Sequence, residues 1–372
     1  MWFERYHFTE DPYTIRDPFR TSPDRIQWDR DDLPQKDNLR LFVEDVKNGS
    51  RVGLRVYGPA GSGKTWLLRY LEKELHAKLG DKIAILYGKV IALDPTFSAL
   101  YDTLVQDWYQ RHRKKVLETV GAKAEAKTWE AVIEDADLRA CLQIFYYPRR
   151  PGEEYQKRVC EHWLRGSKIQ ARDLADVGIM SSLDSDYQRY LTLRELLRLT
   201  LLAYQGCVLM IDELENAPAR VARPLGDSFR DLLDSFSEGF ALACGYTAQA
   251  ADELLDLGYG EFLFTRLQYD VRLDPITPEW APKIFRIHHK AYRDKTYTGD
   301  ELLPFTEGSL GNLIRRIEPL RWYPRQILVN CGALSRMASE EEVDVIDENF
   351  VDRKTAERPQ HFQYLTSQPR LT

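Results

Sequence analysis

Several things are scarce in this chain of 372 residues. Cysteine is one: Cys141, Cys160, Cys207, Cys244 and Cys331 are scattered, odd in number and without a C-x-x-C pair. That pattern excludes a disulfide framework or a zinc site by spacing and fits a reducing compartment. Long apolar runs are also missing, since no stretch approaches the roughly 20 residues of a membrane span. The first residues, Met1-Trp2-Phe3-Glu4-Arg5, lack the apolar core of a secretory leader. The expectation is a cytoplasmic protein with no membrane partner. Nor is one sign of charge in large excess. Lys and Arg total 52 against 58 Asp and Glu, a formal charge of -6. This argues against a wholesale polyanion coat and leaves room for a local basic stripe. No internal repeat or low-complexity tract is present. What remains is 43% hydrophobic and 30% charged, enough for one large or two modest soluble domains.

Against that plain background one stretch stands out: Gly58-Pro59-Ala60-Gly61-Ser62-Gly63-Lys64-Thr65. It fills every fixed position of a phosphate-binding P-loop, G-x-x-x-x-G-K-[ST]. Residues 51–57 before it alternate like a strand, and residues 66–75 after it carry apolar side chains at helical spacing, beginning with Trp66. The order follows the chemistry. Glycines let backbone N–H groups turn toward phosphate oxygens, and the next helix aims its positive end at them. Lys64 is expected to bridge the β- and γ-phosphates, and the Thr65 hydroxyl to ligate Mg²⁺. The sequence therefore predicts nucleoside triphosphate binding, with residues 58–66 as the cradle. No guanine-specific motif stands out.

Upstream, residues 1–34 mix Pro, Asp, Arg and aromatics (Asp11-Pro12-Tyr13, Asp17-Pro18-Phe19, Ser22-Pro23-Asp24). Proline biases the residue before it to extended geometry, so this is either a disordered tail or, as its aromatics favour, an extended segment that packs near the nucleotide. Residues 35–48 read as an amphipathic helix stopped by Asn48-Gly49. Residues 82–90 read as a buried strand, and a long helical insertion is expected at about 96–204. Within it, Gln110-Arg111-His112-Arg113-Lys114-Lys115 lies beside Trp108 and Tyr109, and Arg149-Arg150 follows Tyr146-Tyr147. Cations interleaved with aromatics suit nucleic acid, although a helical charge run is more often a solvated face.

A second landmark is Cys207-Val208-Leu209-Met210-Ile211-Asp212-Glu213. Four apolar residues before two carboxylates read as a central strand with acids at its C-terminal tip, where ligands bind in open α/β sheets. Asp212 is expected to hold Mg²⁺ and Glu213 to orient the attacking water, with Glu215 as a spare. Residues 224–237 look helical, and residues 240–247 look like another strand ending in Thr247. Thr247 either senses the γ-phosphate or caps the helix expected near Gln249. Arg266 precedes a short strand at 269–273 and is a candidate arginine finger, with a surface salt bridge as the plainer role. From 277 onward the reading is helical: 278–293, 307–317, 324–337 and 346–357. Arg325 falls at the start of the third of these, within reach of a nucleotide. A polar tail occupies 358–372.

The order of these features resembles the AAA+ ATPases. The resemblance spans about residues 35–350 and implies an α/β fold. It consists of a P-loop parallel-sheet core at 35–276 with an enlarged helical insertion, then a helical lid at 277–357. On it, residues 58–65 match Walker A, Asp212 and Glu213 match Walker B, Thr247 matches sensor 1, Arg266 the arginine finger and Arg325 sensor 2. Thr265-Arg266-Leu267 and the compact lid resemble the initiator and clamp-loader (Orc/Cdc6-like) branch and the ATPases that regulate transposition. Residues 150–216, with Trp163-Leu164-Arg165-Gly166 before the acidic strand, resemble ATP-binding proteins of BREX-type phage-defence systems. No winged-helix segment is visible after the lid, so origin recognition is not implied.

The resemblance implies ATP and Mg²⁺ as cofactors and a homo-oligomer in the ATP state, because a finger must act on a neighbour. It points to double-stranded DNA and a protein effector as partners, in mobile-element control or phage defence. The alternative is a signalling or scaffold NTPase that gates a protein effector without touching DNA. A small-molecule P-loop kinase fits the lid and Pro324-Arg325 less well.

Overall fold

Five short strands with little polar interior set the architecture of the computed structural model: β1 (Val52–Gly58), β2 (Ile83–Lys89), β3 (Gly206–Asp212), β4 (Phe240–Thr247) and β5 (Tyr269–Arg272). Every residue of β1 and β3 is buried. Strands covered on both faces read as continuous apolar runs, which is the signature of parallel pairing. They form one parallel sheet in the order β2-β3-β4-β1-β5. The register sets Ile83 beside Gly206 and Lys89 beside Asp212, with Cys207 beside Phe240 on the other side of β3. Described residues are 1–15, 21, 25–26, 33, 35–147, 153–318 and 321–365. Asp17-Pro18-Phe19, Ser22-Pro23-Asp24, Arg149-Arg150 and the end of the polar tail (366–372) lie outside them.

The chain divides into two compact units. One comprises residues 38–55 and 74–270 and holds β2, β3, β4 and the first residues of β1 and β5. The helix Lys36–Lys47 lies mostly in this unit, joined to its strands by Asn38 Nδ2 on the Asp270 carbonyl (2.9 Å) and the Tyr269 hydroxyl on Asp45 (2.6 Å). The insertion between β2 and β3 carries helices from Phe97 to Ala203. Its large aromatics are buried and hydrogen-bonded, as such groups must be. Trp108 Nε1 donates to Thr200 Oγ1 (2.9 Å), Tyr101 to the Leu164 carbonyl (2.7 Å) and Trp163 Nε1 to the Ser181 carbonyl (2.8 Å). After β3 the helix runs Ala219–Ser235, five residues earlier at its start than the expected 224. Pro218 is the N-cap and Pro224 sits inside the helix, so the helix gains a first turn ahead of the apolar spacing that marked it.

The other unit comprises residues 1–37, 56–73 and 271–372. Helices Ala281–Tyr292, Glu307–Arg316, Pro324–Glu340 and Glu348–Glu357 build it. Thr306 and Ser309 form a reciprocal capping box and Asp347 caps Phe350, which satisfies N–H groups the first turns leave open. Ile276, Phe285, Leu310, Ile327, Leu334 and Phe350 share one core there, and Tyr6, Phe8 and Tyr13 of the N-terminal segment are buried in it too. The Tyr13 hydroxyl lies 3.0 Å from His289 Nε2. Burial pushes His289 well below the ordinary histidine range. Among the described residues no helix is long and apolar enough to cross a membrane.

Candidate functional site

The phosphate loop runs from the end of β1 to the helix Lys64–Leu79, which opens on the motif lysine itself. Ser62 N donates to the Pro59 carbonyl (3.1 Å) and closes the turn. Gly61 and Gly63 have φ of +84° and +101°, conformations that a side chain resists. A Cβ on Gly58 would stand 2.8 Å from Ser62 Oγ and 2.9 Å from the Leu273 carbonyl. The glycines are thus required by backbone shape and by close approach. Lys64 is 8% exposed, and its ammonium donates to the carbonyls of Gly58 (2.9 Å) and Pro59 (3.1 Å). Ser62 is buried and its Oγ has no hydrogen-bond partner among the described residues. A glycine cradle, an ammonium folded over it and an unpaired buried hydroxyl fit a phosphate chain. Thr65 and Trp66 occupy the first turn of the helix. Within the same unit Arg325 N donates to the Gly61 carbonyl (3.4 Å), while the exposed Arg325 side chain has no partner among the described residues.

The second unit holds the acids. Asp212 ends β3, 1% exposed, and accepts from the Tyr87 hydroxyl (3.2 Å) and from Glu213 N (2.9 Å). Both of its oxygens thus accept a hydrogen bond, which fixes the orientation of the carboxylate at the strand tip. Mg²⁺ is usually held by one or two carboxylates together with substrate phosphates, so a single aspartate of this kind fits it. Glu213 follows at φ 58° and ψ 43°, a left-handed conformation in which a residue other than glycine costs about 1–3 kcal/mol. Its carboxylate is bound on both oxygens, by Lys89 Nζ on Oε1 (2.8 Å) and Asn216 Nδ2 on Oε2 (2.9 Å). Asn216 also donates to the Val90 carbonyl (2.8 Å).

Thr247 ends β4, and its hydroxyl donates to Glu215 Oε1, whereas Glu215 Oε2 is buried without a partner among the described residues. Arg266 ends the short helix Glu261–Arg266 and is gripped by Asp234 through Nε (2.9 Å) and a terminal nitrogen (3.3 Å). That bond raises the arginine pKa and lowers the aspartate pKa. The basic run at 110–115 does not form one stripe. Arg111 reaches Asp107 (3.4 Å), His112 Nε2 meets the buried Ile85 carbonyl (2.9 Å), and Lys115 donates to the Asp81 carbonyl. Arg113 lies over the Tyr109 ring at 3.8 Å. Arg113 and Lys114 border a cleft of about 860 Å³ with Lys157, Arg158, Tyr109 and Tyr146, and three glutamates share its lining.

Sequence reasoning brought the P-loop, Asp212, Glu213 and Thr247 to element ends, where they are found. It missed Lys89 and Tyr87, whose only trace was a strand ending in a cation, and it gave no role to Gln326, which packs against Gly61.

The AAA ATPase domain family profile matches residues 34–237, more than half of the chain. Among solved structures, the ORC2 protein of Aeropyrum pernix in its ADPNP-ADP complexes superposes with a TM-score of 0.50 at 12% identity. It covers 87% of this chain and 66% of that one. Cdc6p of Pyrobaculum aerophilum gives a TM-score of 0.49 at 15% identity, covering 91% and 71%. This chain therefore spans about two thirds of the first of these proteins, and the likeness is one of fold. Among curated protein sequences none matches. With the phosphate loop and the acidic strand both inside the matched span, the chain belongs to the AAA ATPase domain family.

Proposed function

We propose that the protein is a Mg²⁺-dependent ATPase acting as an ATP-switched, oligomerising, DNA-associated regulator in mobile-element control or phage defence. The observation that carries the hydrolytic part is the tip of β3, where a buried, doubly hydrogen-bonded Asp212 precedes a glutamate held in a strained backbone conformation. In this reading the loop N–H groups and Lys64 would hold the phosphates, and Thr65 in one unit and Asp212 in the other are each proposed as Mg²⁺ ligands. Bound Mg²⁺ supplies positive charge to the β- and γ-phosphate oxygens. Glu213 would orient the attacking water and take its proton as the water oxygen bonds to the γ-phosphorus and the bond to the β-phosphate oxygen breaks, giving ADP and phosphate. Lys89 on Oε1 and Asn216 on Oε2 orient that carboxylate, and each oxygen keeps a further lone pair that can accept from a water. Arg266 acts on a neighbouring subunit's nucleotide after leaving Asp234, and Thr247 and Arg325 sense the γ-phosphate.

Four cations and two tyrosines around the insertion cleft support the DNA partner. The three glutamates in the same lining favour the second reading, a protein effector gated without DNA. Turnover of ATP by the purified protein at low salt, with and without duplex DNA, separates the two. Stimulation that fades as salt rises is the expected result, as counterion release requires. Turnover indifferent to DNA but rising steeply with protein concentration would favour the effector reading.

A further inference from the structure

The first turn of the helix Pro324–Glu340 touches the phosphate loop at its backbone. Arg325 donates its N–H to the Gly61 carbonyl at 3.4 Å. A Cβ built on Gly61 would lie 3.2 Å from Gln326 Oε1 and 3.4 Å from Gln326 Nε2, so both ends of that carboxamide face the turn. Gln326 is 7% exposed, and its Oε1 is buried with no hydrogen-bond partner among the described residues. Ser62, the next residue of the loop, is 1% exposed and its Oγ is likewise unpaired. Buried polar side-chain atoms are nearly always paired, so two exceptions flanking one turn call for a polar group that completes them. The neighbouring Arg325 side chain is exposed instead, although its Cβ also borders Gly61.

We propose that Gln326 is a nucleotide-contacting residue whose carboxamide hydrogen-bonds a phosphate group held at the Gly61–Ser62 turn. The proposal rests on the nucleotide-binding reading of the phosphate loop and adds a residue from the lid to it. A phosphate is rich in acceptors and offers no donor. The Ser62 hydroxyl is free to rotate, and a half turn of the carboxamide exchanges Oε1 for Nε2–H without changing its shape. Both groups then donate to phosphate oxygens. Gln326 adds no charge, so it serves position rather than attraction. Because it stands on the first turn of its helix, its bond forms only when the loop is filled, and the helix start feels that occupancy.

The test uses the full chain, a fluorescent ATP analogue with Mg²⁺, ADP by competition, and amide exchange over residues 325–330. Gln326→Met keeps the length without hydrogen-bonding atoms, and Gln326→Glu keeps the shape with a like charge against phosphate. Affinity should fall about tenfold in Gln326→Met and about a hundredfold in Gln326→Glu, the losses expected for one bond to a charged group and for added repulsion. Nucleotide should protect the amides of 325–330 in the wild type and fail to do so in Gln326→Met. The melting temperature without nucleotide should stay level or rise in Gln326→Met, since an unpaired buried atom is removed. Should that variant melt early, the isosteric Gln326→Glu carries the test. Wild-type affinity and wild-type protection in both variants would overturn the proposal. A wild type that binds neither nucleotide would overturn the phosphate-loop reading itself, and this proposal with it.

Discussion

The two units treat their polar groups differently. Around the phosphate loop, Ser62 Oγ and Gln326 Oε1 are buried and unpaired, and the Arg325 side chain extends without a partner among the described residues. Around the acidic strand almost every candidate group is already engaged. Asp212 is held by Tyr87 and a backbone N–H, Glu213 by Lys89 and Asn216, Thr247 by Glu215, and Arg266 by Asp234. Only Glu215 Oε2 stands out as a buried orphan in that group. In the proposed reading the first region binds phosphate, with Ser62 and Gln326 gaining bonds and Lys64 trading its loop carbonyls for phosphate oxygens. The second is already ordered by its own contacts, and in that reading these contacts tune turnover.

That contrast can be broken first at the receiving end. Lys64→Ala removes the ammonium and should weaken ATP binding about a hundredfold or more, since bonds to charged groups contribute roughly 1.5–3 kcal/mol each. Titration with a fluorescent nucleotide reads it, and near-normal affinity would mean that the loop does not hold the phosphates. At the other end the effects are smaller and of opposite sign. Lys89→Met frees one oxygen of Glu213, and turnover should rise up to about fivefold. The pair is partly exposed and such pairs contribute only about 0–1 kcal/mol. A fall in turnover with unchanged affinity would instead make Lys89 a working part of the site. Asp234→Asn loosens Arg266, whose side chain is 40% exposed. It should raise turnover only about two- to threefold, within the same range, and only at protein concentrations where subunits associate. An equal rise in dilute and concentrated protein would separate Arg266 from any neighbour.

Legibility in the sequence followed the same divide. The phosphate loop was readable because its glycines answer local backbone demands at fixed spacing, as the positive φ of Gly61 and Gly63 shows. The strands β2 and β3 were readable because burial on both faces leaves nearly unbroken apolar runs. The C-terminal helices fell within a few residues of their expected ends, the first beginning at Ala281 rather than 278. What could not be read were partners distant in sequence. Lys89 meets Glu213 only because parallel register sets residue 89 beside residue 212. Arg266 and Asp234 lie 32 positions apart, and no periodicity announces a charge pair of that kind. Nor did the proline-rich start reveal that Tyr6, Phe8 and Tyr13 enter the lid core, since aromatic content says that a segment packs but not where.

The most direct measurement of the account is the nucleotide recovered from Glu213→Gln after incubation with ATP and Mg²⁺. The variant keeps the side-chain shape and loses the base, so turnover should fall by about 10²–10⁴-fold while binding persists. Intact ATP recovered from the variant, with ADP recovered from the wild type, is the predicted result. ADP released by the variant at the wild-type rate would contradict the account and move the water-activating role to Glu215.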